Sequence, residues 1–201
     1  MSKKPMAVSQ QQCPEHLRAN RGALAQWFGR TLLRVFGWRV DGQIPDLQRI
    51  LIIGGPHTSN WDFVFAMGAI LGLNIRLRWL GKHTIFKPGV RWFMEWLGGI
   101  PINRSQPQSI VENVTKLVER ENGIVIGLAP EGTRKKVDKW KTGFLRMAEA
   151  TDCTIVMIGL DFPAKRVVLG DTFQPTGDYE ADLEAIMAHY KRYHGKHPDK
   201  Q

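Results

Sequence analysis

The chain has 201 residues, of which 43% are hydrophobic and 23% are charged. This length suits one domain with a substantial core, and the composition excludes an intrinsically disordered chain. Lys and Arg total 28 against 19 Asp and Glu, so the formal net charge is +9. A surplus of this sign indicates an anionic partner, which can be nucleic acid, a membrane surface or a phosphorylated substrate.

The cysteines and the apolar stretches indicate the cellular compartment. Cys13 and Cys153 stand far apart without the spacing of a disulfide framework or a zinc site, as expected in a reducing cytosol. Residues 1–22 lack the apolar core of a signal peptide. The longest apolar stretch, Phe63 to Leu73, is too short to span a bilayer. We therefore expect a cytoplasmic protein that is at most peripheral on a membrane.

The N-terminal part is predicted to comprise a flexible tail, residues 1–16, and an amphipathic helix, residues 17–40. Five arginines punctuate the helix, and its apolar side chains recur at i, i+3, i+4 and i+7. These side chains are Leu24, Trp27, Phe28, Thr31, Leu32 and Val35. Such a helix can pack on the domain, or it can lie on an anionic membrane, because Trp, Phe and Arg together suit the bilayer interface.

Residues 41–201 are predicted to form a single α/β domain, in which helices flank a central, mostly parallel or mixed sheet. Short apolar runs rich in β-branched residues alternate with helical patterns, as in βαβ units. Strands are predicted at 49–53, 75–80, 99–103, 124–128, 154–160 and 166–169. Helices are predicted at 60–73, 90–97, 109–121, 142–150 and 179–193.

The loop after the strand at 49–53 carries the pattern His57-x4-Asp62. Positions five apart on a regular helix differ by about 140°, so the two side chains meet only if His57 lies in the loop and Asp62 in the first helical turn. Ser59 or Asn60 would then cap the helix. A His–Asp pair of this geometry is a general base held in one tautomer. Taken alone, the pattern is weak evidence and is more typical of a surface histidine near an aspartate.

Two arginines each follow a predicted strand of the same sheet. Arg104 comes after the strand at 99–103, and Arg134 comes soon after the strand at 124–128. In open α/β folds the carboxyl ends of the strands form the ligand-binding edge, so both side chains could reach the edge that holds His57. Arginine binds phosphate through two parallel charge-assisted hydrogen bonds.

Four segments in this order resemble the signature blocks of the lysophospholipid, or glycerolphosphate, acyltransferase family. They are His57-x4-Asp62, the Gly-Ile-Pro-Ile-Asn-Arg run that ends at Arg104, Glu131-Gly132-Thr133-Arg134, and the segment from Lys141 to the strand near Leu160. The resemblance covers residues 48–165. Each block alone is a weak signal, but four in order at compatible spacing are specific.

The resemblance implies transfer of a fatty acyl group from a thioester, acyl-CoA or acyl carrier protein, to the hydroxyl of a lysophospholipid such as 1-acylglycerol 3-phosphate. His57 would be the general base and Asp62 would orient its ring, without a metal or a bound cofactor. Backbone N–H groups of residues 60–62 would stabilise the oxyanion. The residues implied in acceptor binding are Lys82, Arg104, Glu131, Gly132, Thr133 and Arg134. The enzyme would act in phospholipid biosynthesis on the inner face of the cytoplasmic membrane.

Other functions stay open from the sequence. Pro56 and Asn103 depart from the family pattern on the acceptor side, so the acceptor could be a lyso-aminolipid without phosphate. A basic membrane-binding protein without catalysis is a second alternative. Nucleic acid is not an expected partner, because no nucleic-acid module is recognised and the basic residues form no single stripe. The histidines near the carboxyl terminus are interpreted as solvent-exposed rather than as metal ligands; they are His189, His194 and His197.

Overall fold

The chain folds as a seven-stranded sheet with helices on both faces in a computed structural model. The structure describes residues 7–103, 105, 107–121, 123–133, 136–137 and 140–201. The strands are β1 (Arg39–Asp41), β2 (Arg49–Gly55), β3 (Leu77–Lys82), β4 (Gly99–Ile102), β5 (Ile124–Leu128), β6 (Thr154–Asp161) and β7 (Arg166–Phe173). The helices are α1 (Ala23–Val35), α2 (Asn60–Leu73), α3 (Arg91–Trp96), α4 (Pro107–Arg120), α5 (Gly143–Thr151) and α6 (Tyr179–Tyr190).

The strands lie in the order β1-β7-β6-β2-β5-β3-β4. Every neighbouring pair is parallel except β6 and β7, so β1 and β7 run against the other five strands. The predicted α/β class, with a mixed sheet flanked by helices, is confirmed. The six strands expected from the sequence are present, and β1 is an additional strand of three residues at the sheet edge. The loops after β2, β3, β4, β5 and β6 all begin at the carboxyl ends of these parallel strands, which is where open α/β folds bind ligands.

Successive side chains of each strand point to opposite faces of the sheet. Both faces are apolar, and each packs into a separate hydrophobic core. In β2, Ile50 packs into the core that contains α1 and α2, whereas Leu51 and Ile53 pack into the core that contains α4, α5 and α6. Successive strand residues point to opposite faces, so a strand buried on both sides is apolar throughout. This explains why β2 and β5 read as short continuous apolar runs in the sequence.

The described part of the predicted tail, residues 7–16, is folded onto the domain, so that prediction is wrong there. Val8 and Cys13 are each only 1% exposed. The side-chain amide of Gln12 donates hydrogen bonds to the carbonyl oxygens of Val40 and Gly42, at 2.9 and 2.8 Å. The side chain of Gln12 also accepts from the N–H of Ser9 at 2.8 Å. Single polar side chains hold this segment in place, and they leave no periodic pattern in the sequence.

Helix α1 is shorter than predicted and presents its apolar stripe outward. It begins at Ala23 rather than residue 17, because Arg18 forms a bridge with Ile75 beside the sheet. Gly29 and Leu33 are buried, and a Cβ on Gly29 would lie 2.6 Å from the carbonyl oxygen of Gly68 in α2. Most of the predicted stripe is therefore not packed on the domain; its exposed fractions are 77% for Leu24, 60% for Trp27, 54% for Phe28 and 74% for Val35. Of the helices in the described ranges, none is long and apolar enough to cross a membrane.

Candidate active site

The start of α2 fixes the carboxylate of Asp62 beneath the loop that follows β2. Of the two predicted caps, Ser59 is the N-cap, and its hydroxyl accepts a hydrogen bond from the N–H of Trp61 at 3.1 Å. In return, Oδ2 of Asp62 accepts from the N–H of Ser59 at 2.6 Å, and Oδ1 accepts from the hydroxyl of Ser59 at 2.7 Å. This capping box satisfies donors at the helix start and orients the carboxylate. Asp62 is 1% exposed.

The structure brings His57 and Asp62 together at the carboxyl end of β2. Nδ1 of His57 lies 3.3 Å from Oδ2 of Asp62, and the side chain of His57 is 23% exposed. His57 lies in the loop and Asp62 in the first helical turn, which is the arrangement that the five-residue spacing requires. The imidazole therefore has a buried carboxylate on one side and access to solvent on the other.

Glu131 holds the main chain of the same loop. It follows β5, the neighbour of β2, and its Oε1 accepts the backbone N–H of His57 at 2.8 Å. The pKa of Glu131 is raised from 4.5 to about 7, mainly by burial; the hydrogen bond from the N–H of His57 opposes this rise, and the charge of Asp62 contributes to it. Gly55 leaves the space, since a Cβ there would lie 3.2 Å from Oε1 of Glu131. Glu131 therefore contacts the His57 loop directly, a contact that the sequence motif does not reveal.

The other residues implied in acceptor binding belong to the ends of β3, β4 and β5 and the loops after them. Gly132 adopts a φ of +66°, a conformation that favours glycine. Its N–H donates a hydrogen bond to the carbonyl oxygen of Ala129 at 3.1 Å, which closes a tight turn. This turn carries Glu131 and Thr133 at the end of β5. Lys82 ends β3 at the same sheet edge and is exposed. Arg104 and Arg134 lie outside the described residues.

Two of the predicted oxyanion donors are already used within the helix cap. The hydroxyl of Ser59 accepts the backbone N–H groups of both Trp61 and Asp62. These N–H groups therefore point to Ser59 rather than to the open side of the loop. Two of the three backbone N–H groups expected to stabilise an oxyanion are therefore engaged in the helix cap.

The segment of residues 193–201, called the C-terminal segment below, packs against the other side of the His57 loop. Thr58 is 2% exposed, and its hydroxyl accepts the N–H of His197 at 3.2 Å. Gly195 is so close that a Cβ would lie 2.6 Å from Oγ1 of Thr58. Above the same region, Nζ of Lys196 lies 4.9 Å from the ring of Trp61. No local pattern predicts this contact, because 139 positions separate Thr58 from His197.

A groove of about 1170 Å³ opens on the opposite face of the sheet, between α4 and α5. Its floor is apolar, with Ile102, Leu128, Phe144 and Met147, and Gly132 borders it at the end nearest the His57 loop. The volume exceeds the range of about 300–1,000 Å³ that is usual for small-molecule sites. Within the described part of the chain, no group of three His, Cys, Asp or Glu side chains is placed to hold a metal ion.

A His–Asp pair at the carboxyl end of a parallel strand has a geometry that can activate a hydroxyl group. The sequence profile of the Acyltransferase family matches residues 38–161, which include β2, the His57 loop, Glu131 and β6. The chain belongs to the Acyltransferase family.

Two curated relatives are similar to this chain. The chloroplastic 1-acyl-sn-glycerol-3-phosphate acyltransferase LPAT1 of Arabidopsis thaliana is 27% identical over 155 residues, which cover 71% of this chain and 40% of that protein. The chloroplastic 1-acyl-sn-glycerol-3-phosphate acyltransferase BAT2 of Brassica napus is 28% identical over 109 residues, which cover 52% of this chain and 32% of that protein. The chain thus spans less than half the length of either relative.

The fold is similar to a solved structure, that of the 1-acyl-sn-glycerophosphate (LPA) acyltransferase PlsC from Thermotoga maritima. The two match with a TM-score of 0.57 and 17% sequence identity, over 84% of this chain and 78% of the other. At this identity the likeness concerns the fold, which is the α/β arrangement described above.

Proposed function

We propose that the protein is an O-acyltransferase that moves a fatty acyl group from a thioester donor, acyl-CoA or acyl carrier protein, to the hydroxyl of a lysophospholipid such as 1-acylglycerol 3-phosphate. The observation that carries the proposal is the His57–Asp62 pair, 3.3 Å apart, with the carboxylate buried and the imidazole open to solvent. Membership of the Acyltransferase family and the activities of the relatives support it.

His57 acts as the general base in this proposal. With a proton on Nδ1, facing Asp62, Nε2 is the basic ring nitrogen that accepts the proton of the acceptor hydroxyl. The hydroxyl oxygen then attacks the thioester carbonyl carbon, and the C–S bond breaks as the tetrahedral intermediate collapses. The leaving thiolate takes the proton from the imidazolium, which yields the new ester and a free thiol. Asp62 orients the ring and stabilises its transient positive charge, and no acyl-enzyme forms.

The basic and glycine-containing loops around His57 supply acceptor binding. Arg104 and Arg134 are proposed to bind the acceptor phosphate, with Lys82 assisting from the end of β3. Glu131 sets the main chain of the His57 loop, and the Gly132 turn with Thr133 shapes the path to it. The apolar groove that begins at Gly132 is proposed to take an acyl chain.

The outward stripe of α1 supports a location on the surface of an anionic membrane, which for a cytoplasmic enzyme is the inner face of the cytoplasmic membrane. Residues 16–40 contain five arginines and no acidic residue. Leu24, Trp27, Phe28 and Val35 are exposed on this helix. Apolar side chains flanked by arginines insert at the boundary between headgroups and acyl chains.

The test is an acyl-transfer assay with mass readout across lysophosphatidic acid, lysolipids without phosphate and glycerol 3-phosphate, with acyl-CoA and acyl carrier protein as donors. We expect lysophosphatidic acid to be the preferred acceptor and His57→Ala to abolish transfer. The matched control is His16→Ala, because Nδ1 of His16 also lies beside an aspartate, 3.4 Å from Asp46, but far from the site. Turnover by folded His57→Ala that equals the His16→Ala rate would overturn the proposal, and preference for a phosphate-free lysolipid would overturn the acceptor assignment.

A further inference from the structure

A second exposed apolar surface lies between β3 and β4, in a part of the chain that no catalytic role explains. It comprises Ile85, Val90, Trp92, Phe93 and Trp96, and is called the α3 surface below. Their exposed fractions are 38%, 45%, 69%, 41% and 49%. Isolated exposed apolar residues are ordinary, but five within twelve positions, three of them aromatic, form a patch of the kind that marks an interaction site.

The aromatic rings of this surface contact one another, and the ring nitrogen of Trp92 is hydrogen-bonded. Nε1 of Trp92 donates to the carbonyl oxygen of Gly89 at 3.0 Å. Phe93 stacks on Trp96 with the ring centroids 6.0 Å apart, and it meets Trp92 edge-on at 5.8 Å. The exposed parts of the Trp92 and Phe93 rings are therefore mainly apolar. Such rings suit an environment that is apolar on one side and wet on the other.

The α3 surface adjoins the outward stripe of α1. The guanidinium of Arg21, two residues before α1, lies 5.8 Å from the ring of Trp96. At the other end of α1, Phe36 contacts Trp61, with ring centroids 5.4 Å apart. Trp61 belongs to the first turn of α2, four residues after His57, and is 37% exposed. The exposed apolar residues thus connect α3, α1 and the rim of the His57 loop.

Within the described part of the chain, the large exposed apolar side chains form one band, made of the α1 stripe with Phe36, Trp61 and the α3 surface. Among the described residues they lie in only three places, namely residues 24–36, Trp61 and residues 85–96. Their concentration on one part of the surface is what a single interface requires, and scattered exposure would not produce it.

The charge of the band selects an anionic partner. Lys82 is exposed at the end of β3 and Lys87 is exposed within the α3 surface, whereas Arg78, farther back in β3, is paired with Glu121. The acidic residue of α3, Glu95, accepts a hydrogen bond from Nε of Arg91 at 2.7 Å, so it adds no unpaired negative charge. Aromatic rings with cations around them match the headgroup region of a bilayer that contains anionic lipids.

We propose that the α3 surface is a second membrane-docking surface, which inserts into the interfacial region of an anionic bilayer beside α1. The purpose of docking rests on the proposed function, because a lysolipid acceptor would then reach His57 from the membrane along Trp61. Docking itself is a binding property that is measured without turnover. The α1 stripe and the α3 surface together would hold the His57 loop at the surface of the membrane.

The test measures binding to vesicles of phosphatidylcholine, with and without phosphatidylglycerol, by co-sedimentation. The double variant Trp92→Ser/Phe93→Ser should lower the partition constant by at least about tenfold, the loss expected for one buried aromatic ring. Trp27→Ser/Phe28→Ser on α1 is the matched variant and should lower it similarly. Lys87→Gln should reduce the gain from phosphatidylglycerol, whereas Lys191→Gln, next to α6, should leave it unchanged.

Transfer to a short-chain acceptor dissolved below its micelle concentration separates docking from catalysis. We expect the α3 variant to keep the wild-type rate there and to lose activity on vesicle-borne acceptor. Unchanged vesicle binding by the α3 variant overturns the inference. The inference is also overturned if the wild type binds no vesicles and sedimentation velocity shows that it is a dimer which the α3 variant converts to a monomer. Inactive wild-type protein that still binds vesicles through the α3 surface would refute the proposed function and support the docking surface.

Discussion

The carboxyl group of Glu131 makes the stability of this protein depend on pH near neutrality. Its Oε1 accepts the N–H of His57 at 2.8 Å in a largely buried position. Glu131→Gln keeps an acceptor oxygen of the same size at that place and removes the ionisable proton. The substitution therefore isolates the cost of a buried negative charge from the value of the hydrogen bond.

The magnitude follows from the pKa of Glu131, which burial raises from 4.5 to about 7. Between these two pH values the unfolded chain has already lost its proton while the folded chain keeps it, so the free energy of unfolding falls as pH rises through the window from 4.5 to about 7. Each pKa unit corresponds to about 1.4 kcal/mol, so the complete loss is at most about 3 kcal/mol. Glu131→Gln lacks this component.

The assay is urea unfolding of wild type and Glu131→Gln in buffers on both sides of that window. We expect the free energy of unfolding of Glu131→Gln, relative to that of the wild type, to rise by up to about 3 kcal/mol from the acidic to the alkaline end of the window. The rise should be complete above the pKa of Glu131 in the folded protein. Glu184→Gln, at an exposed carboxylate of α6, is the control and should track the wild type. Parallel pH profiles for wild type and Glu131→Gln would refute the reasoning, because they would mean that the burial of Glu131 does not disfavour its charge.

Two further predictions concern the His57 loop and are measured as kcat and KM in the acyl-transfer assay. Asp62→Asn keeps the side-chain shape but removes the anion 3.3 Å from Nδ1 of His57, so kcat should fall by about a thousandfold or more while circular dichroism stays native; a kcat within tenfold of wild type would contradict the orienting role. Gly195→Ala places a Cβ 2.6 Å from Oγ1 of Thr58, so the loop must shift and kcat should fall by about tenfold to a hundredfold with a smaller change in KM; an unchanged kcat would show that the C-terminal segment does not position the loop.

Elements with strong local signals were predictable from the sequence. Both ends of α2 agree with the prediction, because Ser59 caps its start and Asn74 closes it in the left-handed conformation. The strand at residues 124–128 is predicted to the residue, since its short apolar run is fully framed by turn residues. In the site, the five-residue spacing already implied the loop and first-turn placement of His57 and Asp62.

Contacts between distant segments account for what the sequence did not reveal. Helical periodicity located α1 but not its orientation, because Gly29, which carries no apolar side chain, makes the closest approach to α2. The buried position of Val8 depends on polar anchors without a repeat, such as Gln12. Glu131 was expected to shape an acceptor site, and its bond to the main chain of His57 depends on β5 lying beside β2, which only the strand order specifies.

The two edges of the sheet have a consequence for how copies of this protein behave at high concentration. One edge strand, β1, has three residues, and the other, β4, has four with Pro101 among them. Proline has no N–H to donate, and a short strand offers few groups to pair, so neither edge is a good template for strand addition. Conditions that keep the fold intact should therefore disfavour the growth of β-sheet aggregates. Aggregation of the purified protein is expected to be reduced by detergent rather than by β-sheet breakers.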